Sequence, residues 1–168
     1  MSKDVRLQPG VIEPIRLEAT VRRSREDAFT HFTGRMTVWW PMQRFTFGPG
    51  RSHEVLMEPF VGGRFYERYT DGEEFTIGEV LAWEPPKRVV LAWQISPQWK
   101  FEPDLAKASE VEISFTSIPG GETRVDLNHH HWERHGAGVE QMYASVGGDM
   151  GWNGLLSLFA AEAEKVAV

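Results

Sequence analysis

Six stretches of alternating apolar and polar residues follow one another between Glu54 and His131, separated by little more than turn chemistry: Glu54 to Met57, Gly63 to Tyr69, Glu74 to Trp83, Arg88 to Ile95, Ser109 to Ser117 and Thr123 to His131. Period-two alternation is the pattern of half-buried strands. Asp71-Gly72, Pro85-Pro86 and Pro119-Gly120-Gly121 mark tight turns between them. Such short connections force an antiparallel meander, since parallel neighbours need long crossovers. Ile15 to Arg22 alternates in the same way and adds a seventh strand.

Helical signals flank this block. Ser24 precedes Glu26 and Asp27, a capping hydroxyl with acidic residues in the first turn, and predicts a helix from Arg25 to about Phe32 that Gly34 ends. Met36 to Trp40 predicts a second short turn, stopped by Pro41. At the other end, Trp152, Leu155, Leu156, Phe159 and Ala163 recur at helical spacing within a segment running from about Val139 to Val166. Gly147, Gly148, Gly151 and Gly154 interrupt it, each costing about 1 kcal/mol in a helix interior, so the regular helix is expected to be firmest after Gly148. The expected fold is α+β: a curved antiparallel sheet of about seven strands, two short helices after the first, and a long C-terminal helix covering the concave face. Residues 1–14 read as a flexible arm and residues 15–168 as one domain.

Composition narrows the function. The absence of cysteine removes disulfides, thiolate nucleophiles and sulfur-ligated zinc. With 24 acidic and 18 basic residues the net charge is -6, which gives nucleic acid no electrostatic support as a partner. No apolar run has signal-peptide or membrane-span length, so a cytoplasmic location is expected. Seven Trp, ten Phe and three Tyr in a small domain point to a large core, a cavity or an interface.

Glu58-Pro59 with Gly62-Gly63-Arg64-Phe65, then Gly78-Glu79-Val80, Trp83-Glu84-Pro85-Pro86, Arg88 and Trp93 together resemble the START-like (SRPBCC) superfamily. More narrowly they resemble its branch of activator of heat-shock protein 90 ATPase homologues. The Gly120-to-Val125 hairpin, His131-Trp132-Glu133-Arg134 and Gly151-Trp152 extend the likeness over roughly Ile15 to Lys165. The resemblance implies a helix-grip (Bet v-like) fold with a cavity between sheet and C-terminal helix, which across the superfamily takes apolar or amphipathic molecules and in some members hosts catalysis. Such a fold does not choose among those activities.

Strand alternation supplies candidate site residues. Val111, Ile113 and Phe115 face the core, as do Val125 and Leu127, which carries His129 and His131 inward. Leu91, Trp93 and Ile95 share a face, as do Phe65, Glu67 and Tyr69, and Ile77, Glu79, Leu81 and Trp83. A bulge would shift the phase and send Glu67 or Glu79 outward, and a histidine at a strand end is commonly only hydrogen-bonded in place. The expected ligand-contacting set is Trp39, Phe65, Glu67, Glu79, Trp93, Trp99, His129, Trp152 and Leu155, with Pro97 to Ala108 as a mobile loop over the opening. The run His129-His130-His131 with His135 invites a metal reading, with Glu67 as a carboxylate donor. Neighbouring strand residues alternate faces, however, so no metal and no other cofactor are expected.

Three functions fit. A binding module for an apolar or amphipathic small molecule is preferred. An enzyme could use the same cavity for acid-base cyclisation, dehydration or isomerisation, with a buried carboxylate and His129 as its groups. A chaperone contact is the third, weakened because no further domain precedes Ile15; a homodimer contact remains compatible with any of them.

Overall fold

A computed structural model of the chain describes residues 12–40, 46–51, 53–149 and 151–165. The expected arm lies largely outside these residues, as does Pro41. The strands are β1 (Ile15–Val21), β2 (His53–Met57), β3 (Arg64–Tyr69), β4 (Glu74–Glu84), β5 (Arg88–Trp93), β6 (Ser109–Ile118) and β7 (Glu122–His130). The helices are α1 (Arg25–Gly34), α2 (Met36–Trp39), α3 (Val139–Gly147) and α4 (Trp152–Lys165).

All seven strands form one antiparallel sheet in the order β1-β7-β6-β5-β4-β3-β2. Five successive neighbours are the expected meander. The exception is β1, which pairs with β7 from Ile15 opposite His129 to Val21 opposite Thr123. Ser24 caps α1 as its sequence requires, accepting from the Asp27 N–H at 3.0 Å.

The inner face of the sheet packs on the helices. Val111, Ile113 and Phe115 of β6 and Val125 and Leu127 of β7 are buried, as alternation demands. From α4, Trp152, Leu155, Leu156, Phe159 and Ala163 enter the same core. Phe159 meets Phe32 at 5.1 Å and Trp39 at 5.5 Å between ring centroids, both edge-on, the geometry that aromatic quadrupoles prefer. The far end of α4 is tied to β1 by Glu164, which accepts from the Arg22 backbone N–H at 2.7 Å.

Three local features depart from the expected pattern. The C-terminal segment is two helices, parted where Gly148 to Gly151 lets the chain turn; a Cβ on Gly151 would stand 2.1 Å from the Val146 carbonyl oxygen. In β4 the register shifts twice, between Thr76 and Gly78 and between Val80 and Ala82. Each shift is a bulge that resets the alternation. Trp93 of β5 consequently stands opposite Gly78, and Glu79 stands opposite Ala92 on the outer face. Glu79 therefore does not share the inner face with Val80 and Trp83, contrary to expectation. His131 is the third case: it follows β7 with a left-handed backbone, φ 66°, and is exposed rather than facing inward with His129.

Candidate functional site

Two buried polar groups fix the walls of a cavity between the sheet and α4. The first is Glu67, fully buried on the inner face of β3. Its carboxylate accepts from the Thr46 hydroxyl at 3.0 Å, the Tyr69 hydroxyl at 2.7 Å and the Phe47 backbone N–H at 3.2 Å. Burial, and next the Glu67 carboxylate, push the Tyr69 phenol up, so it stays a donor. His53 Nε2 stands 3.7 Å from the second Glu67 oxygen. Glu67 thus pins the segment preceding β2, which has no periodic pattern of its own, and Phe47 is held against Phe75 at 5.1 Å.

The second is His129, fully buried on β7 and stacked on Trp132 at 3.9 Å. Trp152 donates its indole N–H to His129 Nδ1 at 3.0 Å. Because Nδ1 accepts, Nε2 carries the hydrogen and donates to Ser109 Oγ at 2.7 Å. The Ser109 hydroxyl in turn donates to His135 Nε2, also at 2.7 Å. Burial, followed by His135 and His130, holds His129 well below the usual imidazole range, and burial pushes His135 down to about 4. Both rings are neutral near pH 7, which this donor order requires.

Between these anchors lies a cavity of about 370 Å³. Trp40, Phe47, Trp93, Trp99 and Trp152 give it aromatic walls; Thr46, Pro49, Ser145, Val146, Gly151 and Leu155 complete the lining. Successive rings meet at 6.4 Å for Trp99 and Phe47, 6.2 Å for Phe47 and Trp93, 6.1 Å for Trp93 and Trp152, and 6.3 Å for Trp152 and Trp40. Among the described residues, none of the lining side chains is charged. Trp93 Nε1 is buried without a hydrogen-bond partner. A buried unpaired donor costs roughly 1–3 kcal/mol.

Of the residues expected from sequence, Trp93, Trp99, Trp152 and Leu155 line this cavity. Glu67 and His129 stand one layer behind it, positioning Phe47 and Trp152. Phe65 lies 6.0 Å from Trp40 beneath the wall, and Trp39 packs in the core between Phe32 and Phe159. Glu79 is on the other face of the sheet. The loop after β5 is a compact hairpin extension: Ser96 and Lys100 are bonded backbone to backbone at 2.7 Å, Ile95 pairs with Phe101, and Trp99 at its tip has φ 63°. Trp99 is 45% exposed and forms the rim. Sequence reasoning missed Trp40, Thr46 and Phe47; the Trp39-Trp40 doublet was the available signal.

A family model described as Activator of Hsp90 ATPase homolog 1-like protein matches residues 22–164. No curated protein matches. Among solved structures, the anthrahydroquino-Gama-pyrone synthase Txn09, complexed with SUM, is 36% identical at a TM-score of 0.63, over 92% of this chain and 99% of that one. The self-sacrificing resistance protein CalC from Micromonospora echinospora is 25% identical at 0.66, over 92% and 98%. The Aha1 dimer from Colwellia psychrerythraea, 14% identical at 0.60 over 92% and 98%, shares the fold.

Proposed function

We propose that this chain, which belongs to the Activator of Hsp90 ATPase homolog 1-like family, binds a planar, uncharged, polycyclic compound carrying a carbonyl oxygen. The observation that carries this reading is the cavity wall itself: five aromatic side chains, no charged one among the described lining residues, and in one of them, Trp93, a buried indole N–H without a partner. Flat ring faces supply contact area to a flat ligand, uncharged walls disfavour an ion, and the Trp93 N–H is a donor that would orient a carbonyl. The volume of about 370 Å³ suits a fused ring system. Likeness to a synthase whose name contains a fused quinone-type skeleton supports the same ligand class.

The relative's name also favours a second reading, in which the bound compound is transformed. Glu67 and His129 would then act through Phe47 and Trp152, as positioning residues, because neither lines the cavity.

The test compares 9,10-anthraquinone with anthracene, the same tricyclic frame with and without carbonyl oxygens, by quenching of tryptophan fluorescence. Native mass spectrometry of freshly purified protein accompanies it. Saturable quenching that is stronger for the quinone supports the reading. An empty protein that neither compound quenches saturably overturns it, and recovery of a chemically altered quinone establishes the second reading.

A further inference from the structure

The outer face of the sheet gathers donors that the cavity does not use. Glu110 of β6 stands directly opposite His130 of β7, on the face turned away from buried Val111 and His129. A residue continuing β7 in extended form would send its side chain inward. His131 instead turns left-handed, φ 66° and ψ 36°, and its ring comes to lie 4.6 Å from that of His130. A carboxylate oxygen of Glu110 and one ring nitrogen from each histidine then lie within 4.8 Å of one another.

We propose that Glu110, His130 and His131 bind one divalent transition-metal ion, of the class represented by Zn²⁺. Two imidazoles and a carboxylate suit zinc or its borderline neighbours, and suit calcium or magnesium poorly because those prefer oxygen throughout. Tetrahedral bonds of 2.0–2.1 Å put ligand atoms roughly 3.3 Å apart, so the three donors must draw together slightly. His131, with 43% of its side chain exposed, is free to make that movement.

The surroundings match those of a metal ligand set. Glu133 Oε2 stands 3.5 Å from His131 Nδ1, where a carboxylate can orient the ring of a metal-binding histidine. Arg134 donates to Glu110 Oε2 at 3.0 Å, which orients the carboxylate while its other oxygen stays available. Glu112 stands on the same face of β6, two residues along, paired with Arg88 at 2.6 Å, and Glu133 adds a third carboxylate beside the two guanidiniums. The alternation that argued against adjacent histidines as partners fails here because His131 has left the strand.

Untagged protein, stripped with a chelator and dialysed, would be titrated calorimetrically with ZnCl₂ alone, and its visible spectrum followed with CoCl₂. One ion per chain is expected, with a Co²⁺ absorption band saturating at the same ratio. His130→Ala and Glu110→Gln should each weaken binding by about tenfold or more. His131→Asn, which tolerates the left-handed backbone, should do the same with the far-UV circular dichroism unchanged. Absence of saturable one-to-one binding by the parent protein overturns the proposal, as does parental affinity in His131→Asn.

Discussion

Trp152 reaches His129 across the core, its indole N–H 3.0 Å from Nδ1, and so a wall of the cavity is held by a histidine that does not touch the cavity. The bond sets the tautomer of His129 and, through Nε2, the direction of the hydrogen bonds onward to Ser109 and His135. Trp152→Phe keeps the aromatic wall and leaves Nδ1 unpaired. We expect a loss of about 1–3 kcal/mol in urea unfolding. An unchanged midpoint would show that the bond adds no stability.

The pH dependence follows from four imidazoles. His31, His129, His130 and His135 all have folded pKa values lowered chiefly by burial, whereas the unfolded chain takes up protons near 6.5. Unfolded chain therefore binds more protons below pH 6.5, and stability rises with pH over that window. The urea midpoint should be level above about pH 6.5 and fall steadily toward pH 4.5, before most carboxylates titrate. His135→Gln should flatten part of that slope. A midpoint that holds or rises on acidification would refute the assignment.

Trp93→Phe removes only the unpaired donor and much of one ring. Binding of 9,10-anthraquinone should weaken by about tenfold, a change worth about 1.4 kcal/mol, while anthracene binding should hardly move. Stability should stay level or rise, because a buried unsatisfied N–H disappears. Equal losses for both compounds would mean that Trp93 contributes area and no hydrogen bond.

Glu67→Gln puts an amide where three donors converge on a carboxylate. The amide keeps one acceptor oxygen and presents N–H groups to the rest. We expect about 1–3 kcal/mol of destabilisation and roughly tenfold weaker quinone binding as Phe47 loses its anchor. Retained affinity in a correctly folded variant would detach Phe47 from the site.

At the rim, Trp99→Ala should cost less than about 0.5 kcal/mol of stability, since the ring is largely exposed, yet reduce quinone binding severalfold. Trp99→Gly should unfold at higher urea than Trp99→Ala, because φ 63° strains any side-chain-bearing residue. Affinity and stability measured on the same samples separate the two effects.

The strand meander, the cap at Ser24 and the inner faces of β6 and β7 were legible because each follows from spacing within a few residues. What failed had causes outside that range. Glu79 changed faces because β4 carries two bulges, and Gly78 lies so close to β5 that a Cβ would stand 1.8 Å from the Ala92 carbonyl oxygen. In the Trp39-Trp40 pair, α2 ends at Trp39, which enters the core, while Trp40 follows in extended backbone and lines the cavity. Phe47 lies in a segment without periodicity, positioned by a carboxylate twenty residues later. His131 left the strand through a backbone angle that no alternation pattern encodes. Trp93, Trp152 and Leu155, which line the cavity, could be placed from sequence because they sit on regular elements whose spacing fixes which side chains share a face.

The pairing of β1 with β7 orders events during synthesis. Val21 finds Thr123 and Ile15 finds His129 only when nearly the whole sheet has been made. Until then the first strand to leave the ribosome carries an open edge with alternating apolar residues, and the meander can form without it. That edge can close once β7 has been made, but Trp152 and α4 follow later still, so the nascent chain spends one interval with its first strand unpaired and a further one with its aromatic lining uncovered.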